Sequence, residues 1–251
     1  MGQLYVDTIE PQSATALTVG ESGQNTVLPG NDLRANVVQD AGGNAIFTSN
    51  GSGTLSGVNS GFGAAMVLVS STTLGSDTAD VVFTMNSDYD HYWFKFYNAA
   101  PATNTQELCF DCSEDGTTYS TYKTSTVLWN YYNSGGGNAL QYPGGKLSNA
   151  TGHQKIDWYG NNGASAINGV MGDFIIYNPS ASGSGPSWPD FGGKKQFMSR
   201  TAGSYSYSND TVKMTWVAGY LNTSNAITHI KFKMSAGDIM AGAVFKQFGM
   251  K

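Results

Sequence analysis

Charge of either sign is scarce in this sequence. Asp, Glu, Lys and Arg make up 12% of its 251 residues, about half the usual share of roughly 25%. Arg34 is the only base before Lys95, so residues 1–94 carry one base against nine acids, and residues 95–251 carry twelve against nine. No Lys/Arg cluster is large enough to follow a phosphate backbone. The doublet Lys194-Lys195 reads as a solvated loop, and no nucleic-acid partner is expected. Long apolar runs are missing too, since none approaches the roughly 20 residues that a membrane helix needs. The opening "MGQLYVDTIEPQS" has neither the basic nor the apolar region of a secretory leader. The expectation is a protein made in a cytosol, with no membrane partner. Two cysteines cannot supply a disulfide framework.

Catalytic motifs are also lacking. There is no G-x-S-x-G elbow and no H-E-x-x-H, and neither "GFGAAM" nor "GGGNAL" sits between a strand and a helix as a phosphate cradle requires. Glycoside hydrolysis needs two carboxylates about 5–10 Å apart. The four glutamates offer no pair: Glu10 and Glu21 lie near the start, and Glu107 and Glu114 flank one candidate strand. Asp88, Asp90, Asp115, Asp190 and Asp210 fall in turn contexts, where aspartate caps and solubilises. A site split between distant aspartates remains an alternative.

What the chain does have is glycine (32) and aromatics, with 14 Tyr, 12 Phe and 5 Trp. That mixture suits short strands joined by tight turns around a sizeable core. From residue 63 onward ten stretches read as strands: 63–72, 79–85, 91–98, 107–113, 122–132, 172–179, 195–201, 211–221, 227–235 and 242–250. Alternation is plain in two of them. Tyr92, Phe94 and Phe96 oppose Trp93, Lys95 and Tyr97, and Ile230, Phe232 and Met234 oppose Lys231 and Lys233. No helix is expected. The reading is an all-β fold, a jelly-roll-like two-sheet sandwich over residues 61–251. Residues 1–60 differ. "TALTVG", "NTVLPG", "LRANVVQD" and "NAIFTSNGSG" are short, small-residue strands that cannot bury a core alone. They are expected to form an extended N-terminal arm for attachment or oligomerisation.

Cys109 and Cys112 form a C-x-x-C in "ELCFDCSEDG". In a strand, Leu108, Phe110 and Cys112 share one face and Cys109 and Asp111 the other, so the sulfurs lie roughly 10 Å apart along the backbone. A disulfide needs Cα atoms within about 7 Å. No helix N-terminus activates either thiol, and His91, His153 and His229 stand at no zinc-site spacing. Two inert thiols are expected, without metal or cofactor.

Aromatics supply the candidate contact surfaces. "DYDHYWFKFYN" and "VLWNYYN" offer outward rings for sugar stacking or for a subunit interface. The Pro/Gly-rich loop "SWPDFGG" (187–193) holds Trp188 and Phe191, the expected surface-contact residues.

The opening "LYVDTI" with its glycine-punctuated short repeats resembles the starts of fibre-like surface proteins of tailed bacteriophages. "FTMNSDYDHYWFKFYNAAPATNTQELCFDCSEDGTTY" (83–119) and "AGYLNTSNAITHIKFKMSAGDIMAGAVFKQFGM" (218–250) resemble a module of marine phage virion proteins. The resemblance covers most of the chain, with a gap over 131–170, and its motifs are structural. It implies a β-rich oligomeric virion component without a cofactor. The expected partners are two further copies in a homotrimer, capsid or tail proteins held through the N-terminal arm, and a host-surface glycan. A polysaccharide depolymerase or a sugar-binding module is the alternative.

Overall fold

The computed structural model describes residues 37–39, 44–49, 55–58, 66–142, 146–157, 169–181, 194–205 and 211–251. Among them every regular element is a strand, as the sequence leads one to expect. The chain divides into two compact units, Met1–Phe62 and Gly63–Lys251. In the first, β1 (Val37–Gln39), β2 (Ala45–Ser49) and β3 (Leu55–Val58) form an antiparallel sheet in that order. The earlier part of the expected arm, before Val37, lies outside the described residues.

The second unit holds two antiparallel sheets. Its strands are β4 (Met66–Thr73), β5 (Asp80–Thr84), β6 (His91–Ala99), β7 (Leu108–Ser113), β8 (Lys123–Asn133) and β9 (Asn138–Gln141). They continue as β10 (Gln154–Lys155), β11 (Val170–Tyr177), β12 (Lys195–Tyr205), β13 (Thr211–Leu221), β14 (His229–Met234) and β15 (Val244–Met250). One sheet has the order β10-β7-β14-β5, the other β4-β15-β6-β11-β12-β13-β8-β9. All ten expected strands form. The short β9 and β10 were not foreseen.

Facing rings join the sheets into a sandwich. Phe83, Phe110 and Phe232 project from the four-stranded sheet against Phe94, Phe96, Phe174, Phe197 and Phe245 of the eight-stranded one. Phe110 meets Phe174 at 4.5 Å and Phe197 at 4.9 Å between ring centroids, and Phe232 meets Phe94 at 5.4 Å. These are the offset and edge-to-face distances that aromatic pairs favour. Gly172 in β11 lets β12 approach closely: a Cβ there would lie 2.3 Å from the Arg200 carbonyl oxygen.

Beyond the phenylalanine core, the inner side of β8, β12 and β13 turns polar. Ser199, Thr201, Lys213 and Thr215 are buried there, beneath a segment carrying Gln154, Ile156 and Asp157. Polar groups survive such burial only when hydrogen-bonded or paired. Thr201 donates to the Ile156 carbonyl at 2.9 Å, Lys213 meets Asp157 at 3.1 Å, and Ser125 bonds Gln154.

Candidate functional site

The C-x-x-C lies along β7, whose six residues are all buried. Cys112 belongs to the core cluster with Leu108 and Phe110. Cys109 points the opposite way, toward the side of Glu107 and Asp111, and donates weakly to the Glu107 carbonyl at 3.4 Å. Both thiols are free. Burial pushes Cys112 up to about 12, and burial together with the nearby Glu107 carboxylate raises Cys109 well above the ordinary thiol range. A thiol held protonated is neither a nucleophile nor a metal ligand. Among the described residues no group of three or more His, Cys, Asp or Glu is placed to hold a metal ion. Iodoacetamide is therefore expected to leave the native protein unmodified and to add two carbamidomethyl groups once guanidinium unfolds it. Intact-mass spectrometry reads both states, and labelling of the native fold would contradict this assignment.

The turn after β7 walls a polar cleft of about 400 Å³, lined by Glu114, Asp115, Thr118, Tyr122, Asn222 and Thr223 among others. Gly116 makes the turn possible, with φ of +79° and the His229 ring where a Cβ would go. Asp115 accepts from the backbone of Thr118 at 2.7 Å and Thr117 at 2.8 Å, and from the Ser113 hydroxyl at 2.8 Å. Those bonds, led by the two from the backbone, hold its carboxyl well below the usual range. Glu114 is likewise engaged, by Thr223 at 2.5 Å and Asn225 at 2.8 Å. A general acid needs a raised pKa, and Asp115 moves the other way. Lys195, at the back of this region, donates to the Thr223 carbonyl at 3.0 Å, and burial lowers its pKa against the pull of Glu114. Lys195 opens β12, as the expected strand 195–201 has it, but corrects the solvated reading of the Lys194-Lys195 doublet, for it is only 1% exposed. Its four-carbon stem packs inward while a backbone carbonyl takes the ammonium.

Three further acids of the sandwich are tied to bases. Asp111 pairs with Lys123 and Glu107 with Lys155, both at 2.9 Å, and Asp173 with Arg200 at 3.1 Å. His229 Nδ1 meets the hydroxyl of its neighbour Thr228 at 2.8 Å, and that hydroxyl also donates to the Glu114 carbonyl at 2.9 Å. These contacts organise turns and strand ends.

No family model matches this chain, no curated protein matches it, and no solved structure matches it.

A second concavity is apolar. On the outward side of β11–β13, Tyr177, Gln196, Met198, Ala218 and Tyr220 line a groove of about 420 Å³. Its rings come from neither stretch that the sequence offers for stacking or for an interface; the exposed aromatics of those stretches, Tyr97 and Tyr132, lie on β6 and β8 with three strands between them. Trp188 and Phe191, the expected contact residues, lie outside the described residues. The three buried lysines, Lys123, Lys195 and Lys213, escaped sequence reasoning. Lysine is almost never fully buried unless paired; the partners of Lys195 and Lys213 lie 28 and 56 positions away, while Lys123 meets Asp111, 12 positions before it.

Proposed function

We propose that this chain is a non-enzymatic structural protein of a tailed-phage virion, displayed on the particle surface as a capsid decoration, head fibre or short tail fibre. The strand order carries the reading. Setting aside β8–β9 and β12–β13 as inserted pairs, eight strands remain: β4, β5, β6, β7, β10, β11, β14 and β15. Counted one to eight, they lie as 1-8-3-6 in one sheet and 2-7-4-5 in the other. That interleaving of two Greek keys supports a jelly roll, an architecture common to viral capsid and lectin domains. The resemblance of 83–119 and 218–250 to phage virion modules points the same way. In this reading residues 1–60 are the attachment arm, the partners are copies of the chain and neighbouring virion proteins, and the molecule works on the surface of a particle assembled in the host cytoplasm.

The groove between Tyr177 and Tyr220 favours one second reading, a sugar-binding module. Paired rings with an amide between them suit a sugar's apolar face and hydroxyls.

The test is made on purified particles. Quantitative mass spectrometry should find the chain in stoichiometric copies, and antibodies to it should decorate intact particles in electron micrographs. The purified chain should leave host capsular polysaccharide uncut. Absence from the particles, or turnover of the polysaccharide, would defeat the proposal.

A further inference from the structure

The two outward faces of the sandwich differ in kind. The four-stranded sheet turns Lys231, Lys233 and Asp80 toward solvent, an ordinary polar exterior. The stretch β11-β12-β13-β8-β9 of the other sheet does the reverse. An antiparallel sheet with one solvated face alternates apolar-in and polar-out. In β13 the inward residues Lys213 and Thr215 are polar and buried, while the outward Val212 and Met214 are apolar and exposed by 55% and 36%. The pattern is inverted, so the sequence treats the outward side as one to be covered.

Neighbouring strands extend the patch. Through the ladder Met214 lies beside Asn130 and Asn130 beside Leu140, Val212 faces Tyr132, and Met214 also adjoins Ala202, next to Met171. Leu140, Tyr132 and Met171 are 62%, 56% and 56% exposed, and Met198, further along β12, 45%. Large apolar side chains this open expose on the order of 500 Å² together. The largest patch on a typical monomer is about 300–600 Å². With the partly buried Ile175, Trp216 and Tyr220 the face comes closer to the roughly 800 Å² that each partner gives to a standard interface.

Charge selects the occupant. The outward positions of these five strands carry two charged residues among those described, Asp173 and Arg200, and the two pair at 3.1 Å. Lys194, just before β12, adds one cation over the Tyr220 ring at 4.6 Å, and a face with a single net charge has little attraction for nucleic acid, anionic lipid or an acidic glycan. It does match itself: two copies bring methionine and tyrosine side chains together, and the paired Asp173 and Arg200 bring no net charge to repel. Methionine, aromatics and arginine are the residues enriched in such interfaces. We infer that the outward face of β11-β12-β13-β8-β9 is the surface by which copies of this chain associate. The inference builds on the self-assembly in the proposed function and adds the face that performs it.

The experiment uses the full chain and reads mass by light scattering over a wide concentration range. Wild type is expected to be an oligomer. Met198→Glu with Met214→Glu should weaken association at least 100-fold and give monomer mass with unchanged circular dichroism. Val82→Glu, on the opposite sheet's exterior, should leave the mass as it was. In case the double variant misfolds, peroxide oxidation of the unaltered protein gives an independent reading. Met171, Met198 and Met214 should oxidise about tenfold more slowly than Met66, which is 39% exposed on β4. An oligomer that survives the double change but dissociates with Val82→Glu overturns this face and leaves the virion reading intact. A wild-type monomer at every concentration overturns self-association itself, whatever the particle analysis finds. Methionine protection that arises only with added phosphatidylcholine vesicles overturns the inference in favour of a bilayer.

Discussion

Phe232→Ala is expected to cost the sandwich about 3–5 kcal/mol, the range for removing a fully buried aromatic ring. Phe232 sits on β14 at the centre of the four-stranded sheet, with no exposed surface. Its ring centroid lies 5.4 Å from Phe94, 5.6 Å from Phe245, 5.9 Å from Phe174, 6.0 Å from Phe96 and 6.3 Å from Phe83. Four of those rings belong to the opposing sheet, so the side chain is the pin between layers. Collapse cannot refill the hole without moving two ladders. Domains are stable by only about 5–15 kcal/mol, so about a fifth of the margin or more would go. The urea midpoint should fall while the slope stays constant, and Phe232→Leu should fall much less. An unchanged midpoint for the alanine variant would remove Phe232 from the centre of the core.

The second large effect concerns Asp157. Its side chain is 1% exposed and that of Lys213 2%, and the pair meets at 3.1 Å. Burying two ions gives little net stability, because desolvation offsets their attraction. Removing one partner is different: the other charge stays in the interior uncompensated, at a cost of about 3–5 kcal/mol. Asp157→Ala should therefore lower the melting temperature by roughly 6–20 °C, at about 2–4 °C per kcal/mol for a domain of this size. Replacing both groups by apolar ones, Asp157→Leu with Lys213→Met, should restore most of the loss. A double variant no more stable than Asp157→Ala would mean that the carboxylate acts through other bonds of the 154–157 segment and not through Lys213.

These residues mark where the sequence is legible and where it is not. The ten strands could be read because alternation is local: Tyr92, Phe94 and Phe96 declare one face of β6 without reference to anything else. The same rule separated Cys109 from Cys112. It fails for β10, two residues in "GHQKID" that become a strand only because β7 offers its edge. It also fails to say which face of β13 is inside. In "TVKMTWVAGYL" hydrophobicity alone would bury Met214 and Trp216, yet Lys213 and Thr215 are the buried pair. Lys213 tolerates that place because Asp157, 56 positions earlier, meets it, and no window along the chain contains both. Lys195 was misread for the same reason. Its acceptor is the carbonyl of Thr223, 28 positions away. The turn "SEDG" was legible, since Ser, Asp and Gly fix such geometry locally. The cleft beside it was not, because Asn222 and Thr223 arrive from another strand end.

The seat of β15 between β4 and β6 governs how the protein is made. The two earlier strands leave the ribosome far ahead of the one that joins them. At about 5–20 residues per second, the slot between them, about 10 Å wide, stays empty for on the order of ten seconds. No chain that stops before β15 can close the larger sheet, so its closure waits for β15 to emerge. The seven residues of β15 thus complete the larger sheet: a polypeptide that stops short of Val244 leaves β4 and β6 unjoined, with an open seam between them.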